Sequence, residues 1–143
     1  MAKAFDQLKA VVARLRSPSG CPWDRKQTHK SLIPYLREEA AELAAALEGD
    51  RWHEMEDELG DILFHVILHA KIAQEKGRFT LEDVARSQAV KLMRRHPHVF
   101  ARDRKFETAE AVLRHWKEIK SSERALRDRD VAKRSTRARR KRS

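Results

Sequence analysis

The sequence predicts an all-α protein, and three features carry that expectation. The chain has only four Gly and four Pro in 143 residues, too few punctuating residues for a turn-rich sheet. Apolar residues recur at spacings of three and four, the period of a helix face. No stretch keeps the period of two that a half-buried strand needs. The longest apolar run, Ile62 to Ala70, is broken by His65 and is too short to span a bilayer.

Each helix can be placed from its own signals. The first is expected over Ala4–Arg16, with Phe5, Leu8, Val12 and Leu15 on one face. It must stop in SPSGCPWD, where Pro18, Gly20 and Pro22 forbid continuation. A second helix starts near Pro34, tolerated in a first turn, and runs to Glu48, ended by Gly49-Asp50. Asp50 is the expected N-cap of the third, Arg51–Lys76. That helix shows Met55, Leu59, Ile62, Leu63, Val66, Ile67 and Ala70, a stripe broad enough to face both its own chain and a partner. Gly77 ends it. Thr80 with Asp83 reads as a cap opening a fourth helix to Arg95. His96-Pro97-His98 is expected to shape the turn that follows. Thr108 caps a fifth helix, with Val112, Leu113, Trp116 and Ile119 apolar.

The net charge of +10 is unevenly placed. Residues 124–143 hold ten Lys/Arg and two Asp, whereas residues 1–123 carry 22 positive and 20 negative groups. Two regions follow: a folded domain over 1–123 and a basic C-terminal tail over 124–143, expected to be disordered for want of apolar residues. Such a tail offers weak contact to nucleic acid or other polyanions through counterion release, or is a solvated extension with no partner. Cys21 is the only cysteine; it excludes an internal disulfide and fits a reducing cytoplasm. No charged n-region, apolar segment and cleavage site opens the chain, so nothing in it argues for export.

Two acidic segments carry the chemistry. REEAAEL places Glu38, Glu39 and Glu42 within one arc of the second helix, and EDELGD places Glu58 and Asp61 on one face of the third. The turn between them is short, so the helices should lie antiparallel. Glu42 is seven residues before Gly49 and Glu58 eight after Asp50; Glu39 is ten before and Asp61 eleven after. The pairs therefore sit at matching heights, and facing inward they form a square of four carboxylates. Unpaired, such a square is costly to desolvate; a hard divalent cation bound by oxygen removes the cost. The bland alternative is a pair of solvated helix faces.

Further along, Lys91, Arg94 and Arg95 can share a basic helix face suited to phosphate oxygens, or be merely solvated. Trp23 and Trp116 are candidates to flank a base, or ordinary packing residues. His65 and His69, four apart, lack the HExxH frame of a zinc pair and read as core or interface histidines.

GCPWDRKQTH, SLIPYLREEAAEL, EMEDELGDILFHVILHAKIAQEKGRF, KLMRRHPHVF and VLRHWKEIK together resemble the MazG nucleoside triphosphate pyrophosphohydrolases, over about residues 5–120. The resemblance implies an antiparallel helical bundle whose core is completed by dimerisation, as a homodimer or higher homo-oligomer. It implies hydrolysis of NTPs to NMP and pyrophosphate with Mg²⁺, for which Mn²⁺ is a substitute, in nucleotide-pool house-cleaning. It casts Glu39, Glu42, Glu58 and Asp61 as metal ligands and Glu38 as the residue that positions or deprotonates the attacking water. Family members are often longer, with two related domains in tandem; this chain has one copy, resembling the first. The rival reading is a catalytically silent helical dimer that binds nucleotides or RNA through Lys91, Arg94, Arg95 and the tail. A di-iron bundle is disfavoured, because Glu42 and Asp61 stand where Glu-x-x-His pairs are required.

Overall fold

Seven helices are found among the described residues, 2–102 and 104–140 of a computed structural model, and no strand. They are α1 (Ala2–Leu15), α2 (Pro22–Lys26), α3 (Ile33–Glu48), α4 (Trp52–Glu75), α5 (Leu81–Arg95), α6 (Pro97–Phe100) and α7 (Ala109–Arg140). The chain divides into two units between Arg86 and Ser87, within α5. No helix is long and apolar enough to cross a membrane, among the described residues.

The first unit is organised by the α3–α4 hairpin, with α1 packed on α4. Its core is Val12, Leu32, Ile67, Leu68 and Ile72, with Leu8, Phe64 and Leu81 against it. Val12 comes from α1, Leu32 from the residue before α3, and the other three buried residues from one face of α4. Burying a side chain such as Leu68 contributes about 1.5–3 kcal/mol.

The turns that shape the hairpin are explicit. At the end of α3, Asp50 N–H donates to Leu47 O (3.3 Å) and Arg51 N–H to Ala46 O (3.1 Å), with Asp50 at φ +51°. This is a Schellman closure in which Asp takes the left-handed position that usually falls to Gly. The expected role of Asp50 as N-cap is therefore corrected: Arg51 is the N-cap of α4, without a side-chain cap. The end of α4 repeats the pattern with Gly77 (φ +63°): Gly77 N–H donates to Gln74 O and Arg78 N–H to Ala73 O.

The Pro18–Pro22 segment does end α1, and it adds a short helix that periodicity does not reveal. Pro22 sits in the first turn of α2, where its missing N–H costs nothing. Gly20 is required by close approach: a Cβ there would lie 2.2 Å from Leu15 O and 2.3 Å from Arg14 O. Arg16, just past α1, ties the segment down. Its Nη1 donates to the carbonyls of Asp24 (2.7 Å) and Gln27 (2.9 Å), while Nε and Nη2 reach both oxygens of Glu75 on α4.

In the second unit, the turn after α5 is the one-turn helix α6, starting at Pro97. Both expected caps are present, the one at Thr80 in the first unit and the one at Thr108 in the second. Thr80 N–H and Oγ1–H donate to Asp83 Oδ2 and Asp83 N–H donates back to Thr80 Oγ1; Ala111 N–H donates to Thr108 Oγ1. Beyond residue 124, the start of the basic segment, α7 continues as helix to Arg140. No Gly or Pro follows Pro97, and Ala, Leu, Arg and Lys are strong helix formers. The composition does show in exposure: residues 124–133 are all solvent-exposed. Residues 141–143 lie outside the described residues.

Candidate metal centre and anion pocket

The hairpin brings three carboxylates together. Glu39 from α3, and Glu58 and Asp61 from α4, place ligand oxygens within 4.8 Å of one another, all three residues being half-buried. Their arrangement follows from the helical rise counted from the Gly49–Asp50 turn. The strongest repelling charge on Glu39 is that of Asp61, and on Glu58 that of Glu42, which is the height pairing read from the sequence. Glu42 itself is exposed and lies outside the triplet, although its charge acts on both Glu39 and Glu58. Glu38 is exposed beside them.

Burial, followed by these neighbouring negative charges, pushes the carboxyls of Glu39 and Glu58 above their ordinary value. Glu58 Oε2 is buried without a hydrogen-bond partner among the described residues, an acceptor that a cation would satisfy. An all-oxygen donor set of carboxylates fits a hard divalent ion with ligands at about 2.1 Å. The triplet can therefore hold a metal.

Beside it on α4, His65 is buried, and His69 is paired, Nδ1 to Nδ1 at 2.8 Å, with His29. The His29 and His69 rings stack at 5.1 Å. Burial lowers the proton affinity of both α4 histidines, and in His69 the neighbouring imidazoles add to it. His65 is thus buried and His69 half-buried, where the sequence suggests core or interface histidines. Trp23 is exposed, edge-on to Tyr35 at 5.4 Å.

In the second unit a cavity of about 690 Å³ is lined by Lys91, Arg94 and Arg95, the three basic residues singled out in the sequence. Arg104 and Arg127 add two further cations, against Glu118 and Glu123. Sequence reasoning missed both arginines and placed Arg127 in the tail. It also missed Glu123, which takes the arginine pair: Arg94 Nε (3.0 Å) and Nη2 donate to Oε1, and Arg95 Nη2 donates to Oε2 at 2.7 Å. These bonds pull the Glu123 carboxyl from 4.5 down to about 2. No local signal could have found this contact, because Glu123 is 28 residues from Arg95 in the chain. Trp116 is engaged in packing: its Nε1–H donates to Arg95 O at 2.9 Å and its ring meets His96 edge-on.

The hairpin and its acidic triplet define an all-α protein with the donor chemistry of a divalent-cation site. The chain belongs to the MazG family: residues 27–100 match the model of the MazG nucleotide pyrophosphohydrolase domain. It is 48% identical over 119 residues to the nucleoside triphosphate pyrophosphohydrolase/pyrophosphatase MazG of Thermotoga maritima, covering 83% of this chain and 45% of that protein. It is 45% identical over 122 residues to the nucleoside triphosphate pyrophosphohydrolase of Escherichia coli K12, covering 85% and 46%. This chain thus spans about half the length of the curated relatives it matches. The fold is similar to the crystal structure of a mazG-related protein from Thermotoga maritima, with a TM-score of 0.65 and 29% identity over 81% of this chain and 98% of that one.

Proposed function

We propose that this chain hydrolyses nucleoside triphosphates to nucleoside monophosphate and pyrophosphate, with magnesium as its metal and manganese as a substitute. The observation that carries the reading is the convergence of Glu39, Glu58 and Asp61 across the α3–α4 hairpin in a chain of the MazG family. These three hold the ion, and Glu42 is close enough electrostatically to complete the set. Bound magnesium supplies charge stabilisation to the phosphoryl oxygens and to the departing pyrophosphate. Glu38, exposed and adjacent, orients a water and accepts its proton. That water's oxygen bonds to the α-phosphorus as the bond from this phosphorus to the bridging oxygen breaks.

Lys91, Arg94 and Arg95 receive phosphate oxygens, for which the arginine fork is suited. Trp23, exposed on its helix, flanks the base; Trp116, the other aromatic candidate, is held to the Arg95 carbonyl and shapes the basic side. The basic end of α7 is an accessory. Dimerisation is part of the reading, because α4 leaves Trp52 74%, Leu59 54% and Val66 42% exposed, an apolar face that a second copy would cover. Nucleotide-pool house-cleaning is the role this activity suits.

The test is an assay of mixed NTPs with Mg²⁺. Release of pyrophosphate with NMP, abolished by EDTA and by Glu58→Gln, is the expected result. Release of orthophosphate and NDP, or no product alongside intact nucleotide binding, would refute the reading, and the latter would favour a silent binding module.

A further inference from the structure

The basic cavity of the second unit contains its own anion. Arg94 and Arg95 both turn their guanidinium groups onto one carboxylate, that of Glu123, through three hydrogen bonds that use both of its oxygens. A carboxylate held by an arginine pair has the geometry these side chains also offer to phosphate. The Glu123 side chain is only 15% exposed and that of Arg95 18%, so this contact is shielded, while Arg94, 54% exposed, reaches it from the solvent side. Arg95 Nε is buried without a partner among the described residues, leaving a donor that Glu123 does not satisfy. Lys91, Arg104 and Arg127 stand around the same cavity, more positive charge than its two glutamates neutralise.

We propose that Glu123 is an internal competitor for the phosphate subsite: it keeps the Arg94–Arg95 fork assembled, and an incoming polyphosphate must displace it. The inference rests on the assignment of these cations to phosphate in the reading above. Its consequence is that affinity for a phosphate-bearing ligand is set by an exchange of anions, carboxylate for phosphate. Glu123→Gln keeps the side chain's shape, removes its charge and leaves one oxygen to accept from the arginines, so the competitor is weakened while part of the tie to the fork remains.

The probe is inorganic tripolyphosphate without added metal, titrated calorimetrically into the full chain and into Glu123→Gln. The expected result is a dissociation constant lowered about five- to tenfold in the variant, with Arg127→Ala weakening binding to either. An unchanged or weaker affinity in a variant with native helicity overturns the proposal and makes Glu123 a structural tie. A second readout needs no substitution. The arginine bonds hold the Glu123 carboxyl down at about 2; followed by carbon NMR in the unaltered protein, its titration should move up toward the ordinary carboxylate range with saturating tripolyphosphate if the carboxylate is displaced, and a titration that stays put overturns the exchange. Tighter binding by Glu123→Gln supports the exchange whether or not NTPs are hydrolysed. Hydrolysis by wild type with no effect of Glu123 on affinity sinks the exchange alone.

Discussion

Glu39 on α3 and Asp61 on α4 face each other across the hairpin, 22 positions apart in the chain, with ligand oxygens within 4.8 Å. Asp61 is the strongest repelling charge on Glu39, so the fold holds together two groups that oppose it. That relationship makes the centre sensitive to both pH and metal.

The first prediction follows from the raised carboxyls of Glu39 and Glu58. The folded state binds these protons more tightly than the unfolded chain. Their contribution to stability is therefore present at low pH and is lost as pH rises through the raised values. In metal-free protein, Asp61→Asn removes one of the repelling charges and should raise Tm at neutral pH. Mg²⁺ should raise the Tm of wild type and do little for the variant. Thermal melts with EDTA and with excess Mg²⁺ check this; an equal metal increment in both proteins would contradict it.

Arg16 provides a second. Its side chain is 8% exposed and joins Glu75 to the carbonyls of Asp24 in α2 and Gln27 just after it, holding the Glu75 carboxyl below its ordinary range. Arg16→Ala leaves that carboxylate and those carbonyls without their donor, at a cost of about 2–4 kcal/mol. Urea unfolding measures it. A loss below about 0.5 kcal/mol, the surface-substitution range, would show that the tie is dispensable.

The two histidines of α4 give a third, of opposite sign to the carboxylates. Burial lowers the proton affinity of His65 and His69, so the unfolded chain binds these protons more readily than the folded state. Stability is full above about 6.5, their ordinary value, and is lost as pH falls below it. His69→Phe, which keeps the stacked ring, should flatten the decline in Tm between about pH 7.5 and 5.5. An unchanged slope would place the acid sensitivity elsewhere.

Two glycines make a fourth. Gly20→Ala drives a Cβ against two backbone carbonyls and should destabilise by about 2 kcal/mol or more. Gly60 lies within α4 with nothing within 4 Å of an added Cβ, so Gly60→Ala should stabilise the isolated chain by about 1 kcal/mol through helix propensity. Comparing their urea midpoints separates close approach from mere smallness.

The long helices and the acidic centre were legible because their determinants are local. Glu39, Glu42, Glu58 and Asp61 can be placed by counting residues outward from Gly49-Asp50, since helical rise is constant. The count gave height and not direction, so it did not tell that Glu42 stays exposed outside the triplet. Asp50 was misread because Asp suits both an N-cap and the left-handed residue of a helix stop, and only the hydrogen bonds decide. Glu123 was invisible because its partners, Arg94 and Arg95, are 29 and 28 residues away with no periodicity linking them. Over residues 124–133 the side chains are exposed, in keeping with the scarcity of apolar residues there, while helix propensity governs the backbone of α7.

The central claim is that the hairpin carboxylates hold a divalent ion, and Mn²⁺ titration followed by electron paramagnetic resonance tests it most directly. Wild type should bind Mn²⁺ with Mg²⁺ competing for the same site, and Glu58→Gln or Asp61→Asn should weaken binding about tenfold or more. Equal Mn²⁺ affinity in wild type and both variants would show that the ion sits elsewhere.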